Sequence, residues 1–293
     1  MLTVYLDKNV LSHILTVQRT GVDTNQVTPE DVKRLRAAVS AGAIRNLMSV
    51  MQIQEAAFAL NAPSAEIAQE ELRQIRELLY QEQIIKFPKD LLCEDILSYA
   101  RGNGPTNPLM QNNLDLDGLF SPKGDIEERK QALADTAKQA AEFSRTTSAA
   151  NENDREIILS EFENAQPTFE DFYRARINLR LSELVQSAEK HIGSVGLLAA
   201  CEKRGIEGML EFRALAIAQG ASLSYQYARV FGELSEKERK RTGDPPDLNH
   251  TLLSSAADVL VTHDRDFAFW FGRVPHKGVE VLDHVHKLLD RIA

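Results

Sequence analysis

Cysteine, tryptophan, basic charge and long apolar runs are all scarce in this sequence, and each scarcity narrows what the chain can be. Only two cysteines occur, Cys93 and Cys201, with neither C-x-x-C nor metal-ligand spacing. That excludes a disulfide scaffold and a thiolate zinc site, and the pair reads as packing residues in a reducing, cytoplasmic compartment. No stretch approaches the ~18 consecutive apolar residues of a membrane span. The longest candidates, such as SVGLLAA from Ser194, are short and flanked by charge. MLTVYLDKNV puts an acid at position 7, where a signal peptide needs a basic start and a longer apolar run. The expectation is no secretion and no membrane partner. Lys and Arg number 34 against 43 Asp and Glu, for a net charge of -9. A surface of that sign repels the phosphate backbone, so nucleic acid cannot be coated indiscriminately and only a local, metal-assisted phosphate site is open.

What is present is an ordinary globular composition, 43% hydrophobic and 26% charged over 293 residues. A chain of this length buries roughly 75% of its unfolded surface, enough for one large domain or a domain with a substantial insertion. Leu2 to Leu6 is rich in β-formers and ends abruptly in Asp7, Lys8 and Asn9, a first strand delivering a carboxylate. Thr28, Pro29 and Asp31 supply an N-cap, a proline at the first helical position and an acid at the third, which predicts a helix running toward Gly42. A short strand over Asn46 to Val50 passes into MQIQEAAFAL, where Met51, Glu55, Phe58 and Ala59 share one helix face. A helix from Ser64 to about Tyr80, a strand from Ile84 and a helix around Leu92 to Ala100 follow. The order β, α, β, α, α, β, α predicts a mostly parallel sheet covered by helices.

The pattern breaks at RGNGPTNPL from Arg101. From Asp125 to about Gln219 the chain is helix-like, interrupted between Thr146 and Asp154 and restarted by a second cap at Thr168 to Asp171. The α/β pattern returns with an apolar strand over Asp258 to Thr262, ending at Asp264, then a strand from Val279 and a helix from His284 to Ile292. The expected organisation is a discontinuous α/β domain over 1–104 and 241–293 holding a mainly helical insertion over 105–240. That insertion is expected to cover the active cleft or to make a homodimer contact.

Two strands therefore end in carboxylates, and ligands of open parallel sheets bind outside the carboxyl ends of strands, so Asp7 and Asp264 can converge there. Asp247, before a short helix, and Glu55, on an otherwise apolar helix face, can join them. Four close carboxylates repel unless protonated or neutralised by metal, and hard oxygen donors favour Mg²⁺ or Mn²⁺ over Zn²⁺. One or two such ions would activate water and stabilise an in-line phosphodiester displacement. Each acid also has a plain reading: Asp7 as a strand-end cap or ion-pair partner, Asp247, after Pro245 and Pro246, as a helix N-cap. His250 reads as a surface or packing histidine. Asp258 and Asp266 are alternative acids.

Taken together, LDKNVL from Leu6, the isolated Glu55, and D-x-x-H followed by ADVLVTHDRDF from Ala257 resemble the PIN domain nucleases. The resemblance spans residues 1 to about 100 and about 244 to 293. It implies that Asp7, Glu55, Asp247 and Asp264 bind Mg²⁺ or Mn²⁺ and carry catalysis, with Asn9 and Thr262 in support; Asp266 and His250 are further supporting candidates from their positions beside Asp264 and Asp247. It implies a metal-dependent ribonuclease that leaves 5′-phosphate ends, or a toxin held by an antitoxin-like protein partner. Lys237, Arg239, Lys240 and Arg241, the densest basic stretch, are the expected contacts to RNA phosphates; the plain alternative is a solvated helix end. Other classes stay open: a catalytically silent binding module, a DNA nuclease, or a phosphatase, which usually needs an acid where Asn9 stands.

Overall fold

In the computed structural model, residues 1–24, 26–50, 52, 65–110, 155–163, 165–232, 250–264, 268, 271–275 and 278–292 are described. Five parallel strands form one sheet in the order β3-β2-β1-β4-β5: β1 (Leu2–Leu6), β2 (Ile44–Ser49), β3 (Ile84–Ile85), β4 (Val259–Val261) and β5 (Glu280–Leu282). The chain builds outward from β1 to one side through β2 and β3, then restarts on the other side with β4. The strand order therefore switches direction between β1 and β4. In register, Leu6 lies opposite Val261, and the Asp7 amide donates to the Val261 carbonyl at 2.8 Å. Asp7 and Thr262 thus emerge level from adjacent central strands.

Strand alternation sends Val4 and Leu6 to one face of the sheet and Tyr5 to the other. The first face is covered by α1 (Lys8–Thr20), α2 (Pro29–Ser40), α3 (Ala65–Leu78) and α8 (Val285–Ile292). The helix α1 was not anticipated. Its apolar residues Val10, Leu11, Ile14, Leu15 and Val17 are all buried, and Gly21 closes it in the left-handed conformation (φ 66) that other residues disfavour. The start of α2 matches its reading: Thr28 and Asp31 form a reciprocal capping box with Pro29 in the first turn.

The second face holds Tyr5, Leu47 and Leu260 against Leu91 of α4 (Pro88–Arg101), Ile217 and Ala221 of α7 (Arg213–Val230), and Phe271 and Val274. A third cluster joins α4 and α7 to α5 (Phe169–Ile192) and α6 (Leu197–Arg204) through Tyr99, Phe172, Leu181, Cys201, Leu215 and Tyr227. Between 155 and 232 every regular element among the described residues is helical. These helices are not a separate layer, because α7 is buried on nearly every side and belongs to both clusters. Arg213 ties its start to the sheet, donating to the carbonyls of Ser255 (3.3 Å), Ala257 (2.9 Å) and Gly278. At the far edge, residues 108–110 run antiparallel to β3, with Met110 N donating to Ile84 O at 2.8 Å, which shields that edge from further pairing. No helix among the described residues is long and apolar enough to cross a membrane.

Candidate functional site

Asp7 follows the last residue of β1 and is the N-cap of α1, so strand pairing and helix capping fix its backbone from both sides. Its carboxylate Oδ1 accepts from the Lys8 amide at 2.7 Å and Oδ2 accepts from the Thr262 hydroxyl at 3.0 Å. Thr262 in turn accepts from the Asp264 amide at 3.1 Å. One wholly buried hydroxyl therefore links the two strand-end acids and orients the first of them. Asp7 is only 6% exposed and forms no ion pair among the described residues. Burial pushes its carboxyl above the ordinary value, opposed by nearby His250, the Thr262 hydroxyl, the Lys8 amide and the Lys8 charge.

Two further groups hold this corner and were given little or no weight from sequence. His250 is 1% exposed, a packing histidine and not a surface one, and its Nδ1 is 2.8 Å from the buried Tyr5 hydroxyl of β1. Gln52, fully buried just past β2, donates through Nε2 to the Leu6 carbonyl, while its Oε1 accepts from the Ser49 amide at 3.3 Å. It staples the exit of β2 to the end of β1. A polar residue three positions after the last residue of a buried strand is the signal that could have marked it. Asp258 is removed from the candidates: its Oδ2 accepts from the Thr3 amide at 3.1 Å, at the opposite end of β1 from Asp7.

Beside Asp264 opens a cavity of about 350 Å³ lined by Asn9, Ser12, His13, Gln26, His263 and Asp264. Asn9, Ser12 and His13 come from the first turns of α1, where spacings of three and four put them on one side. The His13 and His263 rings stack at 5.0 Å and 23°, with their Nδ1 atoms 2.8 Å apart. The ring of His284 is 5.6 Å from that of His263, and His286 follows at 4.9 Å. Burial lowers the pKa of His13; burial, then the charge that His13 or His284 would carry, lowers that of His263 to about 4.

Of the sequence-predicted site residues, Asp7, Asn9, His250, Thr262 and Asp264 gather at the carboxyl end of the sheet. Glu55, Asp247, Asp266, Lys237, Arg239, Lys240 and Arg241 lie outside the described residues. Among the described residues, no three His, Cys, Asp or Glu side chains are arranged to hold a metal ion. The donor set that is present suits a hard cation in kind: carboxylate oxygens, each Asp7 oxygen bound by a single amide or hydroxyl donor, with no thiolate nearby. Comparison with family models, with curated proteins and with solved structures finds no match for this chain.

Proposed function

We propose that the protein is a PIN-like, Mg²⁺- or Mn²⁺-dependent nuclease that hydrolyses RNA phosphodiester bonds. The observation that carries this reading is the Asp7–Thr262–Asp264 linkage at the point where the strand order switches direction. A parallel sheet opens its ligand crevice there, and an acid that burial makes costly is held in it without an ion pair among the described residues. Ligand sites commonly retain groups whose charge is expensive in the empty protein. Asp7 and Asp264, with Glu55 and Asp247, would hold the ion. When bound, it supplies the charge that activates water and offsets the charge developing on the phosphate.

The chain's own residues do the positioning. Thr262 fixes one oxygen of Asp7 and the Lys8 amide the other, so the carboxylate cannot turn away from the crevice. His250, bonded to Tyr5, lies close enough to act on its charge, and Gln52 holds the neighbouring strand end in place. The first turn of α1 adds the partial positive charge of a helix N-terminus, which favours an approaching phosphate.

The test is cleavage of single-stranded RNA and DNA side by side with Mg²⁺ or Mn²⁺. RNA is expected to be cut to 5′-phosphate ends, and EDTA to stop the reaction. Asp7→Asn keeps a helix-capping side chain and should lower the rate by about 100-fold or more, as loss of a metal-holding carboxylate does, with an unchanged circular-dichroism spectrum. A variant that cuts as fast as the parent would remove Asp7, and this reading with it.

A further inference from the structure

The cavity beside Asp264 differs in chemistry from the carboxylate site it adjoins. Among the described residues that line it there is no lysine or arginine. Apart from Asp264, its walls are amide, hydroxyl and imidazole groups that donate or accept hydrogen bonds. Two polar atoms of lining residues are buried without a hydrogen-bond partner among the described residues: Oε1 of Gln26 and Nε2 of His263. Leaving a buried acceptor unpaired costs free energy, and native proteins tolerate it mainly where a ligand or water completes the bond. The volume is at the lower end of the roughly 300–1,000 Å³ of small-molecule sites, room for one base and its sugar.

We propose that this cavity is a nucleobase subsite that reads the nucleotide beside the scissile phosphate, with Gln26 as the specificity-determining acceptor and the His13–His263 pair as the ring platform. Rings and uncharged polar groups are what proteins use to read single-stranded RNA: bases stack on aromatic or imidazole planes while their edges are hydrogen-bonded. Gln26 Oε1 calls for a base presenting an amino or ring N–H group. Asn9 and Ser12, on the same side of α1, supply further donors and acceptors. Asp264 belongs to both sites, which sets a base in the cavity next to a phosphate at the carboxylates. This inference rests on the nuclease reading for its substrate class.

The experiment separates the two. Adenosine, guanosine, cytidine and uridine, which lack phosphate, are titrated into the full chain in EDTA while the His13 and His263 imidazole signals are followed by NMR. Saturable shifts are expected with at least one nucleoside. They should persist in Asp7→Asn, and both Gln26→Leu and Ser12→Ala should weaken binding by about tenfold. Ser12 is exposed on the helix surface, so its replacement tests the cavity without touching the core. In RNA cleavage, the same substitutions should change which base is preferred beside the cut. Absence of shifts with all four nucleosides, or shifts indifferent to both substitutions, overturns the subsite even if RNA is cut in an Asp7-dependent way. Nucleoside binding without RNA cleavage overturns the nuclease reading and leaves a nucleoside site.

Discussion

Asp7 carries two duties that separate by substitution, because an asparagine caps a helix as well as an aspartate but brings no charge to the crevice. His263 poses the complementary problem of a base held neutral. Burial, followed by its imidazole neighbours, lowers its pKa from 6.5 to about 4. Between those values His263 binds a proton in the unfolded chain that it does not bind in the folded one, so its contribution to stability rises with pH across that window. The contribution is fully present above about 6.5 and is lost as pH falls toward about 4. Acidification from pH 7.5 to 4 should therefore lower the thermal midpoint more in the parent than in His263→Gln. Because His263 is partly open to solvent, the expected effect is modest. The strand-end residues Asp7, Thr262 and Asp264 were legible in the sequence because the β pattern itself fixes where a strand stops. The His13–His263 pair was not, since nothing local links two rings 250 positions apart.

At the scale of elements, legibility followed how local the determining chemistry is. The cap residues Thr28 and Thr168 both mark true helix starts, since the bonds they make lie within three residues. The helix α1 escaped notice for a different reason. Asp7, Lys8 and Asn9 read as a strand terminus, and they are one; the same aspartate also caps the helix that begins at once, with no intervening loop. Gly220 in α7 shows tertiary packing overriding propensity. Glycine within a helix costs about 1 kcal/mol relative to alanine, yet a Cβ at this position would meet Val274 Cγ1 at 2.4 Å. Val274 is itself 3% exposed and packed in the core beneath the sheet, so it has little room to give. Gly220→Ala should thus destabilise by about 1–3 kcal/mol, the usual cost of overpacking, despite the gain in helix propensity. Urea denaturation is the measurement. Val274→Ala in the same chain should recover part of the loss, whereas a stabilised single variant would show that α7 shifts freely against the sheet.

For the whole molecule, the governing quantity is a net charge of -9, which opposes the approach of any polyanion. Binding RNA against that field requires cations concentrated near the cleavage site, and the sequence concentrates them most densely at Lys237, Arg239, Lys240 and Arg241. The chain re-enters the described structure at His250, buried against Tyr5 and close enough to Asp7 to act on its charge. Asp247 precedes His250 by three residues, and the basic stretch comes shortly before it. A phosphate contact by these side chains would release counterions, each single-strand contact adding about 0.7 to the slope of log affinity against log salt. Replacing Arg239, Lys240 and Arg241 together with Gln should therefore weaken RNA binding across sequences and lower that slope by about 2. Such loss differs from what the cavity residues predict, because phosphate contacts carry no base preference. The measurement is RNA affinity at several salt concentrations for parent and triple variant, in Ca²⁺ to suppress cutting. An unchanged slope would make the stretch a solvated segment and require the acidic surface to be offset at the metal site alone.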